Sequence, residues 1–114
     1  MVVGDADTAR AWRSGTVDVL ATPRLVALCE EASVRAVAPV LAEGTTTVGM
    51  KVRLDHLQPS AIGERVVAEA VLAKVEGRRL TFTVSASDSR GLVAVGKVLR
   101  VVVDVDRFMS KTTR

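Results

Sequence analysis

Residues 22–37 read TPRLVALCEEASVRAV, and this stretch decides the fold. Thr22 suits a helix N-cap. Pro23 suits the first helical position, where its missing N–H would be unpaired in any case. Leu25, Leu28, Cys29, Ala32 and Ala36 then recur at spacings of three and four, which lines one face of a helix. Pro39, and then Gly44, stop it. The spacing predicts one long helix from Thr22 to about Val37.

Beyond Gly44 the period changes from helical to two. Val48, Met50, Val52, Leu54 and His56 alternate with Thr47, Gly49, Lys51, Arg53 and Asp55, which predicts a strand with one buried face. Pro59 and Gly63 end it. Val66–Val75 reads as a second strand, and Glu76-Gly77-Arg78 as a turn. A third strand follows, in which Leu80, Phe82, Val84 and Ala86 alternate with Thr81, Thr83, Ser85 and Ser87. Asp88–Gly91 turns the chain into a fourth strand, Leu92–Val103, apolar on both faces except at Gly96, Lys97 and Arg100. Upstream of the helix the pattern is ambiguous: Val2 and Val3, or Thr16–Leu20, suit a short first strand. One helix followed by strands in hairpin order means an α+β fold with an antiparallel sheet of five strands. The surplus of apolar sheet surface predicts association with a second copy of the chain.

With 114 residues the chain is a single domain, 1–114. Apolar residues make up 48% and charged ones 25%, enough apolar material to offset the entropy of ordering the backbone. The apolar runs are too short to span a bilayer, so no membrane association is expected. MVVGDADTARAWR has acids where a secretory signal needs a basic start and an apolar core, which predicts a cytoplasmic protein. The net charge is +3, and Trp12, Phe82 and Phe108 are the only aromatic residues. No basic stripe or stacking platform is visible, which argues against nucleic-acid binding. One cysteine and one histidine exclude a disulfide within the chain and any cysteine-cluster or multi-histidine metal site.

Three polar residues stand where the pattern does not require them. His56 ends an apolar stripe; it suits a structural imidazole or a general base that titrates near neutrality. Glu30 neighbours the apolar helix face; it suits a solvated carboxylate or, beside a cleft, a base, nucleophile or orienting group. Thr22 is explained by capping alone, yet the start of a helix also favours a developing oxyanion. Gly49 interrupts a strand, which marks a bulge or the close approach of a ligand or another backbone. Arg100 lies among Leu99, Val101 and Val102, so its charge requires a partner or a route to solvent. Arg78 and Arg79 form a basic pair at a turn. Cys29, on the apolar helix face, has no base nearby in sequence.

Taken together, VLATPRLVALCEEAS (19–33), TVGMKVRLDHLQPSAIGERV (47–66), VEGRRLTFTVSASDSRG (75–91), GKVLR (96–100) and DRF (106–108) resemble the hotdog-fold thioesterases of the fluoroacetyl-CoA thioesterase type. The resemblance implies a long helix wrapped by a five-stranded antiparallel sheet, in a homodimer (or a tetramer) with two sites at its seam. It implies hydrolysis of an acyl-CoA thioester without metal or cofactor, coenzyme A being part of the substrate. By motif, Thr22, Glu30 and His56 take the catalytic positions. Gly49 lies near the thioester, and Arg100 near the site. Arg78, Arg79 and Lys51 are candidates for the coenzyme phosphates. The segment RSGTVDVLATP (13–23) lacks the phenylalanines that the fluoroacetyl specialist carries ahead of its LATG-like segment, so a short- or medium-chain acyl group is implied instead. The alternative reading is a non-catalytic module that binds acyl-CoA or another small ligand; a dehydratase of the same fold is a more distant one.

Overall fold

The computed structural model describes residues 1–113. Helix α1 spans Thr22–Val37. Strands β1 (Thr45–His56), β2 (Val67–Glu76), β3 (Arg79–Asp88) and β4 (Gly91–Asp104) follow, and a short helix α2 (Val105–Ser110) ends the chain. The α+β class and the long helix agree with the reading of the sequence, while three finer expectations are corrected.

Among the described residues the sheet has four strands, not five, in the order β1-β4-β3-β2, all antiparallel. Upstream of α1, only the isolated bridges Val2↔Arg65, Thr8↔Leu20 and Val19↔Ala61 form. The polar stretch 4–18 folds back on itself instead, with Arg13 at φ 55° and Gly15 at φ 146°. Ser14 N–H donates to the Ala9 carbonyl at 2.8 Å and Trp12 N–H to the Thr8 carbonyl at 3.0 Å. A segment that satisfies its own backbone and has no apolar face to bury gains little from a sheet edge.

Hairpin order holds only for β2–β3–β4. β1 pairs with β4, and residues 57–66 cross from one edge of the sheet to the other. This connection carries Pro59, which cannot donate to a ladder. It is pinned by Ser60, fully buried, whose hydroxyl donates to Asp88 Oδ2 at 2.8 Å. That hydrogen bond is the first cause holding the Asp88 carboxyl below its ordinary value.

The third correction is a bulge. Gly49 faces Arg100 and Lys51 faces Leu99, so Met50 is an extra residue without a partner of its own. One added residue inverts the side-chain alternation. Before the bulge it is Thr47 that is buried, not Val48 and Met50; beyond it Val52, Leu54 and His56 lie on the half-buried side as expected. The helix lays Leu25, Leu28, Cys29 and Ala32 against a core that includes Phe82, Val84 and Ala86 of β3 and Val93 and Val98 of β4. It lies mainly over β2, and beyond the bulge the inward residues of the edge strand β1, Val52, Leu54 and His56, are only half-buried.

Candidate active site

Thr22 does not cap its helix. Ala21 holds the N-cap position and no side chain caps the end, so the Thr22 hydroxyl is available for another role. Its Oγ1 lies 2.8 Å from His56 Nδ1. The last residue of β1 thus meets the first residue of α1. The other imidazole nitrogen, Nε2, is buried without a hydrogen-bond partner. Burial pushes the imidazole pKa below its ordinary value, while the Gln58 backbone works in the opposite direction. A cavity of about 340 Å³ opens over this pair, walled by Val17, Val19, Leu20, Leu57 and Pro59 among others.

Glu30 lies elsewhere. Its Oε2 accepts from Arg100 Nη1 at 2.9 Å. Arg100, nearly buried on β4, donates from Nε to Thr47 Oγ1 and from Nη2 to the Thr47 carbonyl, each at 2.9 Å. The charge that the sequence leaves in search of a partner therefore has one. Gly49 makes the approach possible: a Cβ there would lie 2.7 Å from Glu30 Oε2. A second cavity, about 540 Å³, runs beside Glu30, Arg100, Ala27, Glu31, Val34 and Arg35.

Within one chain these two clusters stay apart. Two turns of helix separate Thr22 from Glu30, about 12 Å along the axis. Seven strand residues separate Gly49, beside Glu30, from His56, about 20 Å allowing for the bulge. The remaining candidates stand outside both clusters. Arg78 borders a small notch with Asp104, Arg107, Phe108 and Lys111. Arg79 and Lys51 are exposed strand residues. Cys29 is fully buried and its thiol is pushed up to about 11 by that burial, so it is a packing residue. Among the described residues, no group of three His, Cys, Asp or Glu side chains comes together to hold a metal ion, and no helix is long and apolar enough to cross a membrane. The reading of the sequence missed Thr47, which the simple alternation turns towards solvent; Gly49 carried the signal, as the mark of a bulge.

The long helix packed on an antiparallel sheet, with a threonine at the helix start and a histidine on the next strand, places the chain among the hotdog-fold thioesterases. The fluoroacetyl-CoA-specific thioesterase family matches residues 3–106, and the chain belongs to that family. The fluoroacetyl-CoA thioesterase of Streptantibioticus cattleyicolor is 37% identical over 94 residues, covering 82% of this chain and 68% of that protein. A solved fluoroacetyl-CoA thioesterase structure superposes with a TM-score of 0.93 at 33% identity, over 98% of this chain and 87% of the other. A thioesterase superfamily member from Thermus thermophilus gives 0.91 at 31% identity, over 98% and 83%. A threonine-to-alanine variant of the fluoroacetyl enzyme has been solved with fluoroacetate, and another variant with fluoroacetate and CoA.

Proposed function

We propose that this thioesterase hydrolyses short- or medium-chain acyl-CoA esters through Thr22, His56 and Glu30. The observation that carries the reading is the Thr22–His56 pair with Nε2 left unpartnered beside a cavity. With Nδ1–H donating to the Thr22 oxygen, Nε2 keeps its lone pair and can take a proton from water. The Thr22 hydroxyl proton is then free to point at the thioester carbonyl. The start of α1 favours the oxyanion that develops there. Glu30, hydrogen-bonded and ion-paired through Oε2 to Arg100, serves as base or as nucleophile. The 340 Å³ cavity is at the small end for ligand pockets, which suits a modest acyl group. Its named walls are aliphatic and carry no aromatic side chain, which supports an unspecialised acyl group over fluoroacetyl. Arg78, with Arg107 and Lys111 around one notch, supports a landing place for the coenzyme phosphates; Arg79 and Lys51 are further cations for that role.

We further propose a homodimer acting in the cytoplasm; the separation of Glu30 from His56 and the half-buried inner face of β1 support the dimer. In it each site combines His56 and Thr22 of one chain with the partner's carboxylate. The test is release of CoA thiol from acyl-CoAs running from acetyl to palmitoyl, with fluoroacetyl included. Turnover is expected on the shorter chains, falling about 10²–10⁴-fold in His56→Ala. Binding of CoA with no turnover on any member would replace this reading with a binding module.

A further inference from the structure

Thr47 touches Arg100 twice, and no role in hydrolysis follows from either contact alone. Its hydroxyl accepts from Nε and its carbonyl accepts from Nη2, both at 2.9 Å. These two bonds lie on one side of the planar guanidinium and fix both its position and its plane. The third donor, Nη1, is then aimed at Glu30 Oε2 at 2.9 Å. The carboxylate is far less enclosed than its partner: the Glu30 side chain is 34% exposed and the Arg100 side chain 9%. Arg100 is thus the fixed member and Glu30 the adjustable one. Gly49 bounds Oε2 on a further side, where any Cβ would collide with it. Oε1 is left without a hydrogen bond to Arg100, and Glu30 lines the larger of the two cavities.

We propose that Thr47 is a positioning residue for the hydrolytic carboxylate. Through Arg100 it holds Glu30 with one oxygen engaged and the other free to meet water or the thioester. The inference rests on the reading of Glu30 as the hydrolytic carboxylate. Loss of the Thr47 hydroxyl leaves Nε of a buried guanidinium unpaired and lets the plane of the group turn. A misplacement of about 1 Å at a reacting group is enough to cost about a hundredfold in rate.

The experiment measures kcat and KM for acyl-CoA hydrolysis in wild type, Thr47→Val, Thr47→Ala and Thr47→Ser, with Glu30→Gln and the double variant Thr47→Val/Glu30→Gln beside them. Val keeps the shape and removes the acceptor. Ala is the second variant should Val pack badly. Ser keeps the acceptor. The expected result is a fall in kcat of about 10–100-fold for Val and Ala, with KM within about twofold and Ser within about threefold of wild type. The Thr47→Val change is expected to cost nothing more once Glu30 is already Gln. The Arg100 Nε–H resonance should be protected from exchange in wild type and Ser, and lost in Val and Ala. Wild-type kcat in folded Val or Ala overturns the inference, as does an equal loss in the presence and absence of the Glu30 carboxylate. Wild-type turnover in Glu30→Gln would instead remove the carboxylate reading, and this inference with it.

Discussion

His56 is tied through one nitrogen and idle at the other, and its solvent-poor setting governs how it titrates. Burial lowers its pKa below the ordinary value of about 6.5. A base with a depressed pKa keeps its lone pair as the solution turns acidic. The acid limb of kcat/KM is therefore expected to lie below pH 6.5 and to disappear in His56→Gln, whose residual rate should be flat through that range. Stability follows the same sign. The unfolded chain takes up the proton first, so the contribution of the neutral imidazole is complete above about pH 6.5 and declines as the pH falls towards the lower folded value. Melting curves of wild type and His56→Gln across pH 5–8 should converge on the alkaline side only if the substitution is otherwise neutral, and differ in slope on the acidic side. Equal slopes would mean that His56 titrates alike in both states. Thr22, Glu30 and His56 stood out in the sequence because each breaks a pattern. Residue patterning alone does not join them, since it gives Thr22 as a cap where Ala21 takes that position and leaves the Thr22 hydroxyl to His56; only the family resemblance sets the three together, and within one chain Glu30 pairs with Arg100 instead.

Strand β1 owes its behaviour to two glycine contacts, one its own and one across the ladder. At Gly49 a methyl group would meet Glu30 Oε2 at 2.7 Å, the movable end of a side chain. At Gly96, opposite Leu54, it would meet the Arg53 carbonyl and the Leu54 Cα, which are backbone. Gly49→Ala is therefore expected to displace the carboxylate and reduce kcat by about tenfold or more, with little change in stability. Gly96→Ala forces the β1–β4 ladder apart and should cost about 1–3 kcal/mol or more, as overpacking does. Urea melts and kcat on the two proteins separate these effects, and a stable, fully active Gly49→Ala enzyme would show that the carboxylate has room to spare. The alternation Val52, Leu54, His56 was legible because period two survives beyond the bulge. The half before it was misread because one extra residue, Met50, turns Thr47 inward. The partner of β1 was equally hidden, since β1 and β4 are distant in sequence and no local turn signals their pairing. The absent fifth strand was overestimated from β-branched residues whose neighbours are polar and self-bonded.

Two polar clusters on this chain do not meet. Thr22 and His56 sit at one end of α1, Glu30 and Arg100 two turns along it, and β1 offers a free edge and, beyond its bulge, a half-buried inner face. An uncovered edge strand invites pairing with another chain, and a two-fold axis beside it would exchange equivalent surfaces. In such a dimer the carboxylate of one chain can serve the histidine of the other. The arithmetic of mixing decides the point. His56→Ala and Glu30→Gln, each nearly inactive, are refolded together in equal amounts, so that about half of the dimers are mixed. If the site is shared between chains, every mixed dimer carries one site with both lesions and one with neither. The mixture should then regain about a quarter of wild-type activity. If each site is built within one chain, all sites keep a lesion and the mixture stays at the level of the separate variants. A light-scattering mass of one chain would exclude sharing altogether and require Glu30 to reach His56 by a rearrangement of α1 on the sheet.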